Sequence, residues 1–489
     1  MRSKRKSPSR LRPGRLAACL LLSAAATLPL AYASSRPSDS PDALTAAVTA
    51  LAPASAAVAA FTAPAKPALP SAAGAASASS AESIPAPVAD TSAPASYANS
   101  VSPAVPAHVW PRISGLSEPQ RKQLADQVLR MAPEEKIGQL LVAGIDGSAP
   151  DQAVARLIEH RQAGGFILFR RNMETISSTV SLLNELKKLN RQAGGQPLFL
   201  GVDEEGGRVT RFPASMTRLP ASGAVGQSGD VDYARAVGKQ LAERVKAFGF
   251  NVNFAPVLDV NSNPDNPVIG DRSFGGSPEL VAKLGIAELK AHQEAGILGV
   301  VKHFPGHGDT AVDSHKQLPV LTHDLSRLSK IELAPFEAAI EKGTEAVMVA
   351  HILLPKLDPD WPASLSSSII GGLLRGKLEF DGLVVSDDMT MGAITDNYDL
   401  GDAAVRFVAA GGDLVLVCHD PQQAKLVFAA LQKAVQDGTV STRRLNDSVY
   451  RILALKLRYK LDDAPTAVPS LKRLNGQVEA ALAPFGTAP

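Results

Sequence analysis

Residues 302–315, KHFPGHGDTAVDSH, contain three of the nine histidines of the chain together with two aspartates, a density of proton-exchanging groups that indicates a site. Asp313 and His315 stand two positions apart within this segment. In an extended segment the side chains of residues i and i+2 share a face, so the Asp313 carboxylate would hold the His315 imidazole in one tautomer and raise its basicity. A histidine held in this way can give and take a proton near neutral pH, as acid–base catalysis requires.

Two other interpretations of this segment stay open. The histidines could simply hydrogen-bond the loop to itself, or a metal ion could bind to side chains of the segment. Five of those side chains are of metal-ligating types, namely His303, His307, Asp309, Asp313 and His315. Pro305 and Gly306 would break the helix that a pair of histidine ligands four residues apart requires, and the sequence has no HExxH motif. We therefore expect no metal at the site.

The segment follows one of eight short apolar runs that alternate with segments of helical periodicity between residues 111 and 462. We predict strands over residues 139–143, 165–169, 198–202, 252–258, 299–303, 346–351, 382–387 and 414–417, and helices that include 175–192, 231–248, 278–295 and 325–342. Repeated strand–helix–strand units predict a parallel sheet. Eight such units fit one (β/α)8 barrel of the TIM type, irregular at its first strands, as the single catalytic domain over residues 111–462.

A barrel of this kind builds its active site at the C-terminal ends of the strands. Five of the predicted strands lead into acidic or basic residues there: Asp203, Asp259, His303, His351 and Asp387. Neighbouring residues of a strand point to opposite faces, so one of Asp387 and Asp388 should face the pocket while the other caps a helix or binds its own loop. One carboxylate and one Asp–His pair are the groups that double displacement on a sugar requires.

The N-terminal residues have the three-part pattern of a secretory signal. Seven Lys and Arg lie within the first 15 residues, while residues 16–33 carry no charge and end in Ala-Tyr-Ala. We therefore predict a signal peptide over residues 1–33 and an exported, periplasmic protein. An uncleaved inner-membrane anchor stays open, because 18 apolar residues are just enough to span a bilayer. Cleavage after Ala33 would leave Cys418 as the only cysteine, so no internal disulfide is expected.

Residues 34–110 contain 26 Ala, 14 Ser and 11 Pro, too few large apolar side chains to offset the entropy lost on ordering, so we predict a disordered linker there. Residues 463–489 are expected to form a C-terminal tail. The whole chain is 45% hydrophobic with a formal net charge of +2. This balance favours a large soluble core and argues against nucleic-acid binding, which requires a strong basic excess.

Four segments, taken together and in this order, resemble the β-N-acetylhexosaminidases of glycoside hydrolase family 3. They are GVDEEGGRVTR, NPVIGDRSFG, KHFPGHGDTAVDSH and VVSDDMTMGA, and the resemblance covers about residues 117–460. It implies that Asp387 is the nucleophile and that His315, paired with Asp313, is the acid/base. It further implies that the sugar is bound by Asp203, Arg211, Arg272, Lys302 and His303. Glu204, Glu205 and Arg208 would either support these residues or form an ion-paired loop scaffold.

Two features depart from the family pattern. The exported leader is one, since single-domain members from Gram-negative bacteria resemble cytoplasmic enzymes of peptidoglycan recycling, and a cytoplasmic location therefore stays open. The second α/β domain that supplies the acid in the family's β-glucosidases is not expected here, because only residues 463–489 follow the barrel. This favours the histidine-using branch of the family.

The resemblance predicts a retaining exo-β-N-acetylglucosaminidase that acts on peptidoglycan fragments through a glycosyl ester on an aspartate. Its partner would be this carbohydrate alone, with no cofactor, and we expect a monomer. Two rivals stay open. One is a metal-dependent barrel hydrolase that uses His303, His307 and Asp387, and the other is a tethered module that binds cell-wall sugar without reacting.

Overall fold

A computed structural model describes residues 108–486, so the predicted signal peptide and residues 34–107 of the predicted linker lie outside the described residues. Trp110, which the sequence assigns to the linker, stacks on Tyr450 with the ring centroids 4.9 Å apart. The packed part of the chain therefore includes residues placed before the predicted domain boundary. Among residues 108–486, no helix has both the length and the apolar character needed to cross a bilayer.

Within the described part of the chain, nine short strands form one parallel sheet. They are β1 Leu141–Gly144, β2 Gly165–Leu168, β3 Phe199–Val202, β4 Val252–Asn253, β5 Leu298–Gly299, β6 Val301–Phe304, β7 Ala346–Val349, β8 Leu383–Asp388 and β9 Leu414–Val417. Almost all of their residues are buried, as expected of strands covered on both faces. The first strand starts later than predicted, because Gln139 is the last residue of the preceding helix.

The strand order β5-β4-β3-β2-β1-β9-β8-β7-β6 places two strands that are adjacent in sequence at the two ends of the sheet. Only Val300 separates β5, which pairs with β4, from β6, which pairs with β7. One continuous run thus supplies both ends, and the sheet closes on itself apart from this irregularity. The predicted (β/α)8 barrel is confirmed, and its irregular wall is the fifth rather than the first.

The fourth wall is much shorter than the predicted strand 252–258. Regular pairing stops after Asn253, and only an isolated bridge between Val257 and Lys302 continues the ladder. Pro256 explains the interruption, because proline has no N–H to donate to a neighbouring strand. After this bridge the chain leaves the sheet and leads into Asp259 at the rim.

Fourteen α-helices accompany the strands within residues 108–486. They are α1 Glu118–Arg130, α2 Pro133–Gln139, α3 Gln152–Glu159, α4 Ile176–Ala193, α5 Ser222–Ser228, α6 Val231–Phe248, α7 Pro278–Ala295, α8 Leu325–Lys330, α9 Ala334–Glu341, α10 Gly392–Thr395, α11 Leu400–Ala410, α12 Pro421–Gln436, α13 Thr442–Arg458 and α14 Leu471–Leu482. Short 3-10 turns lie at Arg170–Asn172, Gly270–Arg272, Ala363–Leu365 and Ala483–Phe485, and a π-helical segment lies at Ser368–Lys377.

Helices α6 and α7 have the bounds that the sequence predicts, because both ends of each carry strong local signals. The side chain of Asp230 accepts from the backbone N–H groups of the first turn of α6, and Ser277 does the same for α7. Gly249 and Gly296 end the two helices with positive φ.

The predicted helix 325–342 is wrong in one respect, since the structure has two helices there, α8 and α9. Pro335 lies in the first turn of α9, where its missing N–H costs nothing. Within a continuous helix the same residue would have removed a hydrogen bond and met the preceding turn. The turn between α8 and α9 carries Glu332, which is fully buried.

The C-terminal segment that the sequence assigns to a tail contains α14. Leu474, Val478 and Leu482 are spaced four residues apart on that helix, and all three are buried in the common hydrophobic core. This apolar stripe joins the segment to the core.

Asp413, just before β9, is a buried charge surrounded by arginines. Its carboxylate binds Arg375 at 2.5 Å, Arg451 at 3.3 Å and also Arg444, and it accepts from the backbone N–H of Val384 at 3.0 Å. Burial alone would raise the pKa of Asp413, but the three guanidinium groups hold it far below its usual range. The ionised carboxylate therefore fastens the helices outside the barrel to its inner sheet.

Replacing Asp413 with Asn is expected to lower the free energy of unfolding by about 3–5 kcal/mol, because it leaves buried guanidinium groups without a counter-charge. Urea unfolding measures the change, and Asp402→Asn, at an exposed position on α11, is the matched control. Folding lowers the pKa of Asp413, so its stabilisation is full above the unfolded pKa of about 4 and is lost as the pH falls below it. The difference in the free energy of unfolding between the unaltered protein and Asp413→Asn should therefore shrink on acidification. A difference that stays constant with pH would contradict this account.

Candidate active site

A cavity of about 290 Å3 lies at the C-terminal ends of the strands. All eight side chains to which the family resemblance gives a role line it, namely Asp203, Arg211, Arg272, Lys302, His303, Asp313, His315 and Asp387. They come from the ends of β3, β6 and β8 and from the loops that follow β3, β4 and β6. Of the five residues that the strand-end argument named, Asp203, His303 and Asp387 line the cavity, whereas Asp259 and His351 do not.

Asp387 and Asp388, at the end of β8, have different surroundings, as the alternation along a strand predicts. Asp388 is 8% exposed, and its Oδ1 accepts from Thr390 N at 2.9 Å and from Cys418 N at 3.0 Å, so it fixes its own loop to the next strand. Asp387 faces the cavity, and within residues 108–486 its side chain accepts a hydrogen bond from the backbone N–H of Asp388 alone, at 2.9 Å. Its other oxygen is thus available to a ligand.

The electrostatic surroundings keep Asp387 ionised. Its low-dielectric surroundings alone would raise the pKa of this carboxyl, but His303, His351 and the Asp388 N–H lower it to about 2. A carboxylate with so low a pKa is charged throughout the neutral range. Asp387 can therefore act as an anion, either by attacking an electrophilic carbon or by stabilising a cation.

The predicted contact between Asp313 and His315 is present, although the backbone there is a turn and not an extended segment. Asp313 Oδ1 lies 2.9 Å from His315 Nδ1 and also accepts from the His315 backbone N–H at 2.9 Å. The backbone N–H of Lys316 donates to the carbonyl of Asp313 at 2.9 Å and closes the turn. The carboxylate thus fixes Nδ1 and leaves Nε2 of the imidazole for a partner in the cavity. The His315 side chain is 67% exposed.

The loop with His315 is tied to the loop that follows Asp387. Gly392 N donates to His315 O at 3.2 Å, and Ala393 N donates to Ser314 O at 3.1 Å. A side chain at Gly392 would bring a carbon to within 2.9 Å of the same His315 carbonyl, so only glycine permits this approach. These contacts position the imidazole relative to the end of β8.

A buried charge network forms one side of the cavity. Lys302 Nζ lies 2.7 Å from Asp203 and 2.6 Å from Glu205, while Arg272 binds Glu205 through two hydrogen bonds of 2.8 and 2.9 Å. Burial alone would lower the pKa of Lys302, but the two carboxylates raise it. Arg211 reaches Asp203 at 3.5 Å from the rim. The network offers fixed donors and acceptors to hydroxyl groups of a ligand.

Sequence reasoning left the roles of Glu204, Glu205 and Arg208 open, and the structure separates them. Glu205 belongs to the network just described. Glu204 is fully buried and binds Arg244 at 2.9 Å, and Arg208 lies at the exposed rim with Asp271 at 2.7 Å. Glu204 is thus part of the loop scaffold that the sequence offered as an alternative, whereas Arg208 is ion-paired and also lines the cavity.

Asp259 is a site residue that the sequence placed at a strand end without giving it a role. Its carboxylate is fully buried, lies 2.6 Å from His303 Nδ1 and accepts from the His307 backbone N–H at 2.6 Å. His303 Nε2 is thereby left facing the cavity, 3.4 Å from Arg272. Burial and the neighbouring His303 lower the pKa of His307 to about 4, so His307 is neutral and serves the loop through Thr310 and Ser314.

Sequence reasoning also missed the apolar and aromatic part of the rim. Phe169 and His419 line the cavity and stack with their centroids 5.5 Å apart, and the Arg171 guanidinium lies 4.7 Å from the Phe169 ring centre. Both rings follow strand ends, β2 and β9, which was the available signal. His351, by contrast, is fully buried and contacts Ser364 and the Asp388 carbonyl below the cavity.

The chain matches the glycosyl hydrolase family 3 N-terminal domain over residues 133–455. It is 36% identical over 356 residues to "Beta-hexosaminidase A" of Pseudoalteromonas piscicida, an alignment that covers 66% of this chain and 59% of that protein. It is 39% identical over 307 residues to "Beta-hexosaminidase" of Thioalkalivibrio sulfidiphilus, an alignment that covers 62% of this chain and 86% of that protein. The chain thus spans less than two thirds of the first relative and most of the second.

Solved structures agree with these relatives. The family 3 β-N-acetylglucosaminidase of a Paenibacillus species superposes with a TM-score of 0.69 at 43% identity, over 72% of this chain and 68% of that one. The β-N-acetylhexosaminidase of Beutenbergia cavernae gives a TM-score of 0.63 at 30% identity, over 67% of this chain and 98% of that one. The fold, the arrangement of the cavity and these similarities lead to one assignment: the chain belongs to the β-hexosaminidases of glycosyl hydrolase family 3.

Proposed function

We propose that this family 3 glycosidase is a retaining exo-β-N-acetylglucosaminidase. The observation that carries the proposal is that Asp387, at the end of β8, and His315, in the loop after β6, line one cavity beside a network of sugar-binding type. An ionised carboxylate and an imidazole held by Asp313 are the two groups that double displacement requires.

In the first step an Asp387 oxygen attacks the anomeric carbon, and the bond from that carbon to the leaving oxygen breaks. His315 Nε2 gives its proton to the leaving oxygen, while Asp313 stabilises the imidazolium before the transfer. The products of this step are the released alcohol, a glycosyl ester on Asp387 and a neutral His315.

In the second step the neutral imidazole takes a proton from water, and the water oxygen attacks the anomeric carbon. The ester bond to Asp387 breaks, and the carboxylate is restored. Two inversions give net retention of the anomeric configuration. Asp203, Lys302 and Arg272 would hold the hydroxyl groups of the sugar through both steps, since their charges are already paired and fixed.

The substrate class that we propose is a peptidoglycan fragment with terminal N-acetylglucosamine. The basic and apolar N-terminal residues support it, because an exported enzyme meets such fragments outside the cytoplasm. The N-terminal sequence of protein recovered from a periplasmic extract tests the export, and the sugar released from isolated muropeptides tests the substrate.

The chemistry is tested by trapping the ester. Incubation with a slow fluorinated aryl β-N-acetylglucosaminide is expected to raise the mass of the intact protein by one glycosyl group, and peptide mapping should place it on the peptide that contains Asp387. Asp387→Asn should gain no mass. Sugar binding without any adduct in the unaltered protein would instead support a module that binds but does not react. Turnover that requires a metal ion, with that ion lost in Asp387→Asn, would support a metal-dependent hydrolase.

A further inference from the structure

A second group of ligating side chains lies beneath the loop that carries His315. Asp309, in that loop, places Oδ2 2.5 Å from Nε2 of His323, which precedes α8. Glu332, in the turn between α8 and α9, completes the group, and one ligating atom from each of the three residues lies within 4.8 Å of the others. Two separate parts of the chain meet here, and none of these three side chains lines the cavity with Asp387.

Glu332 provides the second observation. The residue is 0% exposed, and its Oε1 accepts from Arg327 Nη2 at 2.9 Å. Its Oε2 is also buried but has no hydrogen-bond partner within residues 108–486. A carboxylate oxygen without a partner in a protein interior is costly, and a bound cation would remove that cost.

We propose that Asp309, His323 and Glu332 bind one divalent cation of the Zn2+ type. One imidazole nitrogen and two carboxylate oxygens form a donor set that suits Zn2+, whereas Mg2+ and Ca2+ prefer oxygen alone. On binding, His323 Nε2 exchanges its contact with Asp309 for the metal, and any proton on that nitrogen passes to solvent. Arg327 keeps Glu332 oriented from outside the ligand set.

The location indicates what the cation does. A side chain at Gly306, in the same loop, would bring a carbon to within 2.7 Å of the Glu332 Cβ, so the loop already rests on this residue. Asp309 Oδ1 also accepts from Ser262 Oγ at 3.1 Å. A cation held by both Asp309 and Glu332 would fasten the loop to the α8–α9 turn. It stabilises the folded loop and takes no part in bond breaking.

The test is calorimetric titration of ZnCl2 into the full chain after dialysis against EDTA. We expect a single equivalent to bind and the melting temperature to rise by a few degrees at saturation. Glu332→Gln keeps the acceptor for Arg327 but removes the anionic ligand, and it should weaken binding by more than the roughly 10- to 100-fold that loss of an outer partner costs. His323→Ala, at a less buried position, should do the same if the first variant folds poorly.

Matched controls separate this site from others. Glu341→Gln and His160→Ala, both exposed, should bind Zn2+ as the unaltered chain does. Asp387→Asn should also keep the site, so the result does not depend on the proposed hydrolysis. The proposal is overturned if no Zn2+ binds, or if binding survives Glu332→Gln and His323→Ala but is lost in Asp387→Asn, which would place the ion in the cavity.

Discussion

Replacing Asp387 with Ala is expected to lower kcat for an aryl β-N-acetylglucosaminide by at least about 10⁴-fold, since removal of an attacking group costs a covalent enzyme this much or more. The aspartate is the ionised group at the end of β8, with one oxygen held by the Asp388 N–H and the other open to the cavity. Alanine offers neither a nucleophile nor a negative charge to the developing oxocarbenium ion.

Initial rates with the aryl glycoside measure this loss, and circular dichroism checks the fold. Only one backbone hydrogen bond to the Asp387 side chain is removed, so we expect the melting temperature to change little. Asp402→Ala makes the same chemical change at an exposed position and should keep full activity. Turnover of Asp387→Ala within tenfold of the unaltered protein would remove Asp387 from the nucleophile's role.

The sequence predicted most accurately the elements whose ends carry local signals. Helices α6 and α7 begin after Asp230 and Ser277 and end before glycines, and their bounds agree to the residue. Proline was underweighted in two places. Pro256 shortened the fourth wall, and Pro335 divided the predicted helix 325–342, because each lacks the N–H that a continuous element would use.

The site was predictable to the extent that it depends on chain position. A strand end fixes which rim a residue reaches, so Asp203, His303 and Asp387 were expected together and lie together. The pairing of Asp259 with His303 was not predictable, because it depends on where a strand interrupted by proline stops relative to its neighbour. The group of Asp309, His323 and Glu332 was not predictable either, because only the packing of α8 and α9 brings its members together.

The same geometry predicts a different pattern of losses for His315. Replacing His315 with Gln removes the proton that the leaving oxygen needs, so a substrate with a basic leaving group, such as a chitobiose-type disaccharide, should lose about 10²- to 10⁴-fold in kcat/KM. The leaving group of a nitrophenyl glycoside departs as a stable phenolate and does not need that proton. For it, cleavage of the glycosidic bond should change far less, and the attack of water on the ester should become the slow step.

This asymmetry separates an acid from a residue that merely shapes the loop. A structural defect would lower kcat/KM for both substrates by the same factor. The hydrogen bonds from Gly392 and Ala393 position the His315 loop in the same way for either substrate. Asp313→Asn, which keeps a side chain of the same size but weakens the hold on Nδ1, should show the same asymmetry at smaller magnitude. Equal losses for the two substrates in both variants would contradict proton transfer by His315. Restoration of nitrophenyl turnover by added azide, which attacks the ester without a general base, would confirm that His315 serves the second step as well.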